Sequence, residues 1–262
     1  MKIDRVVLVI AAFAISTAMT LASDWNPPDN PDPQTILNEA QADMRAKRYE
    51  IALTKHVWFH ENALKINQAM TGVRLSFALT YWKNLGQEYP PAMDKLRQIR
   101  DELEAKANEG KDIGNGFSDL ASINRTLEEE SKTTDAFKIL VSENPEAAKK
   151  AFLFAKSALI KDKEYALYVK YVDAKRDYLQ MKHMYEMNTQ MAEDLKFGAR
   201  MSDHAIKSFR NHSATLIAIL SANDRKREAS EIATLAKKEL EDTKFHEELE
   251  AALAGIVPSP WP

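Results

Sequence analysis

The chain has 262 residues, with 36 Lys plus Arg against 39 Asp plus Glu; the net charge of −3 gives no single-sign field and speaks against nucleic acid as a partner. Hydrophobic residues make up 45%, enough for one sizeable core or for several small ones stacked together. There is no Cys, which removes disulfides, thiol nucleophiles, iron–sulfur clusters and cysteine-bound zinc together, and only 7 Gly, too few for a hairpin-rich β fold.

Met1 to Ala22 reads as an export signal. Lys2 and Arg5 make a cationic start, Val6 to Ile15 is an unbroken apolar run, and Thr20-Leu21-Ala22 offers a small-x-small cleavage site. Cleavage there places the protein in the periplasm or outside the cell. The alternative is an anchor in the inner membrane, since Val6 to Ala22 is 17 residues, at the short limit of a span. Ser23 to Pro33 follows as an extended linker, because Pro27, Pro28, Pro31 and Pro33 cannot sit together in a helix.

From Gln34 the chain alternates helix-forming stretches with breakers near 67–72, 86–91, 108–116, 142–145, 161–163, 197–203 and 222–224. Leu96, Ile99, Arg100 and Leu103 recur at helical spacing. So do Ala151, Phe154, Ala155 and Ala158, and then Ile232, Leu235, Ala236 and Leu240. Asn144-Pro145-Glu146 puts Pro in a first helical turn. No sustained β-branched alternation predicts a strand. The expectation is an all-α chain of roughly ten helices packed as antiparallel hairpins. It is divided into a repeat region over 34–160, a second helical region over 161–257 and a tail over 258–262.

Two stretches of the front region align. Arg48-Tyr49-Glu50-Ile51-Ala52-Leu53 opens a helix after a short turn, with Ala40 and Met44 on the helix before it, and Glu88-Tyr89-Pro90-Pro91-Ala92 does the same after Phe77 and Leu79. Each has an aromatic three residues before an Ala, and Asn144-Pro145-Glu146-Ala147 repeats the turn with Asn in place of Tyr. This pattern resembles the tetratricopeptide repeat, a family of 34-residue helix–turn–helix units. Three features depart from it: the helix from Tyr49 to Ile66 is a turn too long, the loop over 108–116 breaks the period, and the last hundred residues lack the signature. The stretches His56 to Leu64 and Gly72 to Leu79 also look like a group of bacterial repeat-like proteins without assigned activity. The resemblance implies an α-solenoid in the first half, while the second half either continues it or closes into a bundle. It also implies a non-enzymatic scaffold that binds a protein or peptide on a concave face. With Tyr49 and Tyr89 as equivalents, the groove residues would be Asn38, Gln41 and Arg45 from the first unit and Arg74, Phe77, Tyr81 and Asn84 from the second.

His56 and His60 stand four apart on one helix, a spacing that can chelate a metal, but no third ligand is marked and Glu61 does not complete a zincin motif. No metal or cofactor is therefore assigned. Met181, Met184, Met187 and Met191 form a stripe that reads as core filling, and Tyr165, Tyr168, Tyr171 and Tyr178 read as packing residues. His183, His204, His212 and His246 share no spacing, and no phosphate loop, nucleophile elbow or nucleotide fingerprint is present. Nothing points to catalysis. Two rival functions remain open: a membrane-anchored envelope assembly protein, and a helical metal binder or enzyme using His56 and His60.

Overall fold

The structure, a computed structural model, describes residues 25–194 and 198–260. The export signal, the breaker at Phe197 and the last two residues of the tail lie outside them. Among the described residues the chain forms 13 α-helices and no strand, as the sequence predicts for an all-α fold. Some helix starts carry a side-chain cap. Asp32 accepts from Thr35 N at 2.8 Å to open α1 (Pro33–Arg45), and Asn144 accepts from Ala147 N at 3.1 Å to open α8 (Pro145–Lys161) with Pro145 in the first turn. The long helix α2 spans Tyr49–Ile66 as expected.

More helices appear than the breakers predict, because the ends at Glu128, Val172 and Leu240 carry neither Gly nor Pro. Lys47, Asp112, Glu128, Lys163 and Asp224 all have φ between 49° and 63°, the left-handed region usually given to Gly. Glu128 ends α6 (Asn115–Leu127) this way, a break with neither Gly nor Pro to announce it. The ends of α9 (Tyr165–Tyr171) at Val172 and of α12 (Lys226–Glu239) at Leu240 use extended residues that sequence reading placed inside helical stretches.

The chain divides into two units between Leu96 and Arg97, within α5 (Pro90–Asn108). In the first unit α1 pairs with α2, and α4 (Phe77–Glu88) packs on both. A 3-10 turn (Gln68–Met70) and the one-turn α3 (Thr71–Arg74) make the link between α2 and α4. Leu37, Phe59, Ala63 and Ala78 form a small apolar cluster against which Trp58, Met70, Val73 and Tyr81 lean. Trp82, 1% exposed, fills the space beside it and donates its indole N–H to the Ala92 carbonyl at 2.8 Å. Tyr49 and Tyr89, aligned above as equivalents, stack on each other with centroids 5.8 Å apart. Charge is buried here too: Lys55 Nζ lies 2.7 Å from Glu39 and 2.9 Å from Asp43, which also takes Arg48.

The second unit holds α6, α7 (Ser131–Glu143), α8, α9, α10 (Ala174–Asp194), α11 (Gly198–Ala222), α12 and α13 (Thr243–Leu253) around one large core. α11 is its centre: every residue from Ser213 to Ser221 is buried, because α9, α10, α12 and α13 all pack on it. α8 meets α6 and α7 with Ala147, Ala148, Ala151, Ala155 and Ala158, small side chains that let helix axes approach closely. Tyr168 and Tyr178 are buried, and Tyr165 and Tyr171 pack against the core, in line with the sequence reading.

The methionine stripe corrects that reading. Met181 packs on the core, but Met184, Met187 and Met191 are 53%, 42% and 46% exposed. α10 carries two stripes about a third of a turn or more apart, and the one with Tyr178, Met181, Tyr185 and Ala192 faces inward. The aromatic stripe takes the interior together with Met181, and Met184, Met187 and Met191 lie beside it on the more exposed flank.

Candidate functional site

The inward face of α10 does not close fully on its neighbours. A groove of about 480 Å³, within the size range of ligand pockets, runs between α8, α10 and α11. The α10 wall is mainly apolar: Met181, Met184 and Tyr185, with Gln180 and Asn188 at either end. These positions share one face because they recur at three- and four-residue steps. The α11 wall is polar along its rim, where His204, Ser208, His212 and Thr215 succeed one another by turns, above a floor of Ala205, Phe209 and Leu216. From α8 and α9 come Ile160 and Tyr168.

The groove is electrically quiet. Its formal charges are Lys156 and Asp177, which meet each other at 2.6 Å with 20% and 10% of their side chains exposed. Desolvation draws the exposed His212 below the ordinary imidazole range, and burial together with Asp177 pushes Tyr168 up. Ser208 Oγ lies 3.2 Å from His212 Nδ1. Among the described residues no carboxylate hydrogen-bonds the other ring nitrogen, the orienting contact that a serine–histidine nucleophile relies on. The pair is better suited to hold a hydrogen-bonding ligand than to attack one. A second hollow of about 520 Å³ adjoins the first, sharing Ser157, Ile160, His212 and Thr215.

The residues predicted from the repeat alignment lie in the first unit. Asn38 and Arg45 are exposed and Gln41 half-buried on α1, and Asn38 accepts from Gln34 at 3.0 Å. On α4, Phe77 is 63% exposed, Asn84 is exposed, and Tyr81 is half-buried against the small apolar cluster. Arg74 stands apart from them. It is 8% exposed and its Nε donates to the His60 carbonyl at 2.7 Å, so the guanidinium is turned inward rather than outward as a groove position requires.

His56 and His60 both meet Trp82, one stacked at 5.7 Å and the other edge-on at 6.1 Å. His56 is 1% exposed with neither ring nitrogen hydrogen-bonded, and burial brings it from the usual 6.5 down to about 4. His60 falls to about 3 through burial and the nearby Arg74 charge. Arg74 Nη2 lies 3.3 Å from His60 Nε2, and since a guanidinium only donates, that nitrogen accepts and the proton sits on Nδ1. A metal cation at that nitrogen would face a fixed positive charge. Among the described residues no three His, Cys, Asp or Glu side chains gather where they could hold an ion.

The sequence does not announce the α10–α11 groove, although its elements are visible there as the methionine stripe and as His204 and His212, eight residues apart on one helix. Exposure of a helix flank depends on which stripe the neighbours cover, and that is set by distant residues. Compared with known protein families, curated proteins and solved structures, the chain has no significant match.

Proposed function

We propose that the protein is a non-catalytic, exported scaffold that holds a protein or peptide partner, and that docking centres on the groove walled by α8, α10 and α11. The carrying observation is that an apolar groove with a hydrogen-bonding rim is walled in part by the exposed Met184, with Met187 and Met191 exposed further along the same helix. Methionine is flexible and polarizable, so such a surface adapts to an apolar partner while costing little in stability when solvated. The repeat-like front of the chain supports a scaffold role, with the helices of the first unit as tetratricopeptide-like pairs. Export rests on Met1 to Ala22; among the described residues no helix is long and apolar enough to cross a membrane. Retention of residues 1 to 22 in the purified protein, read by intact mass, would favour an envelope-anchored assembly protein instead.

One observation supports a second docking surface. Phe77, 63% exposed on α4, is a large aromatic left in solvent, and Tyr81 and Asn84 follow it on the same face. The test separates the two. A photo-crosslinking amino acid is placed at position 184 or at position 77 in producing cells. The groove reading expects an adduct from position 184 that disappears in Met181→Glu. An adduct from position 77 alone would move the site to α1 and α4, and none from either would remove the scaffold reading.

A further inference from the structure

Taking the groove reading as its basis, we infer that the occupant is an extended, uncharged peptide segment with apolar side chains at alternate positions, its backbone read by the carboxamides of Gln180 and Asn188.

Charge complementarity comes first. Lys156 and Asp177 are spent on each other at 2.6 Å, and among the described residues no other Asp, Glu, Lys or Arg lines the groove. A ligand carboxylate or ammonium would leave water for a site with no unpaired opposite charge, which is costly. An uncharged occupant loses nothing of that kind.

The carboxamides then select among uncharged ligands. Gln180 and Asn188 line the groove, and neither hydrogen-bonds another described residue. A carboxamide both donates and accepts, which matches a peptide unit and exceeds what a hydrocarbon chain can use. A partner in α-helical form already satisfies its own backbone, so these groups would have nothing to read. An extended segment leaves its N–H and C=O groups free on both edges.

Spacing agrees. Eight residues of helix separate the two carboxamides, about 12 Å along the α10 axis, and an extended chain covers that with between three and four residues at roughly 3.3 Å each. Alternate side chains of the strand then point into the groove about 6.6 Å apart. Met181 and Tyr185 are four residues apart on α10, about 6 Å. Successive apolar side chains can thus settle beside them and over Phe209, while the α11 rim of Ser208, His212 and Thr215 offers hydrogen-bonding partners to the strand's other edge.

The probe is an end-blocked neutral peptide, acetyl-Gly-Thr-Leu-Thr-Leu-Thr-Gly-amide carrying a fluorophore, titrated into the full protein and followed by anisotropy. Saturable binding is expected, with the dissociation constant rising about tenfold when alternate backbone nitrogens are methylated, and by a similar factor in the Gln180→Leu/Asn188→Leu variant, which keeps the groove apolar and its melting temperature unchanged. Unaltered affinity in either arm would overturn the inference, as would tighter binding of a helix-locked peptide of the same side chains. Dodecanol serves as the second probe. If the alcohol binds in a manner lost in Met184→Glu while the peptide does not bind, the peptide inference fails and the groove stands. If neither binds and position 184 gives no adduct, the groove reading itself fails.

Discussion

The two units solve the problem of a helical core differently. The first buries imidazole and charge: His56 and His60 lie against Trp82, Arg74 braces the His60 carbonyl, and Lys55 sits between Glu39 and Asp43. The second gathers a much larger apolar core around α11, with buried charge at Arg100, Asp119 and Asp177 but no buried imidazole among the described residues, and it exposes Leu179, Met184, Met187 and Met191 on α10. In the first unit polar groups are locked inside by neighbours that must keep the right protonation state. In the second, charge is also buried, but other polar groups face an open groove. Stability in one is conditional, and surface chemistry in the other is available.

That contrast can be broken most forcefully at Trp82. Trp82→Ala removes the largest fully buried side chain of the first unit and leaves the Ala92 carbonyl without its donor. A loss of about 3–5 kcal/mol is expected from the cavity. Hydrogen exchange should show the loss in α2 and α4, with α11 to α13 unchanged; equal loss in both regions would contradict the division into units.

Acid comes next. His56 is held near 4 in the folded chain and titrates near its ordinary 6.5 when unfolded. Between those values the unfolded state binds the extra proton, so stability rises with pH across the window and is lost as pH falls from 6.5 toward 4. The contribution of His56 is on the order of 3 kcal/mol, and His60 acts in the same direction. Denaturant titrations at pH 7 and pH 5 should show weakened α2 and α4. His56→Leu should reduce the dependence, and a slope undiminished in the His56→Leu/His60→Leu double variant would place the acid response elsewhere.

Smaller effects sharpen the comparison. Lys47→Gly and Lys163→Gly each relieve a left-handed residue, at φ 60° in both units, and should raise stability by about 0.5–1 kcal/mol. Met184→Ser should leave the thermal melt within about 0.5 kcal/mol of the parent because the side chain is already solvated. A large loss there would show that α10 is covered in solution.

The helical class, the capped starts at Asn144 and the length of α2 were legible because they depend on neighbours within a turn or two. Two kinds of feature were not. Helix ends at Glu128, Val172 and Leu240 carry no Gly or Pro, so the break is imposed by packing rather than by local preference. The orientation of α10 and the inward turn of Arg74 depend on contacts between residues far apart in the chain, and a periodic stripe alone does not say which of two flanks is covered. His56 and His60 were legible as a pair on one face, but Arg74, 14 residues beyond His60, decides what that pair can do.

Methionine methyl spectra test the central claim most directly, because both units carry reporters. Protein labelled with carbon-13 at methionine methyls is titrated with the end-blocked neutral peptide. The account expects shifts at Met181 and Met184, fading along α10 toward Met191, with Met44, Met70 and Met93 of the first unit unmoved. Shifts confined to those three first-unit methionines, with α10 silent, would contradict it.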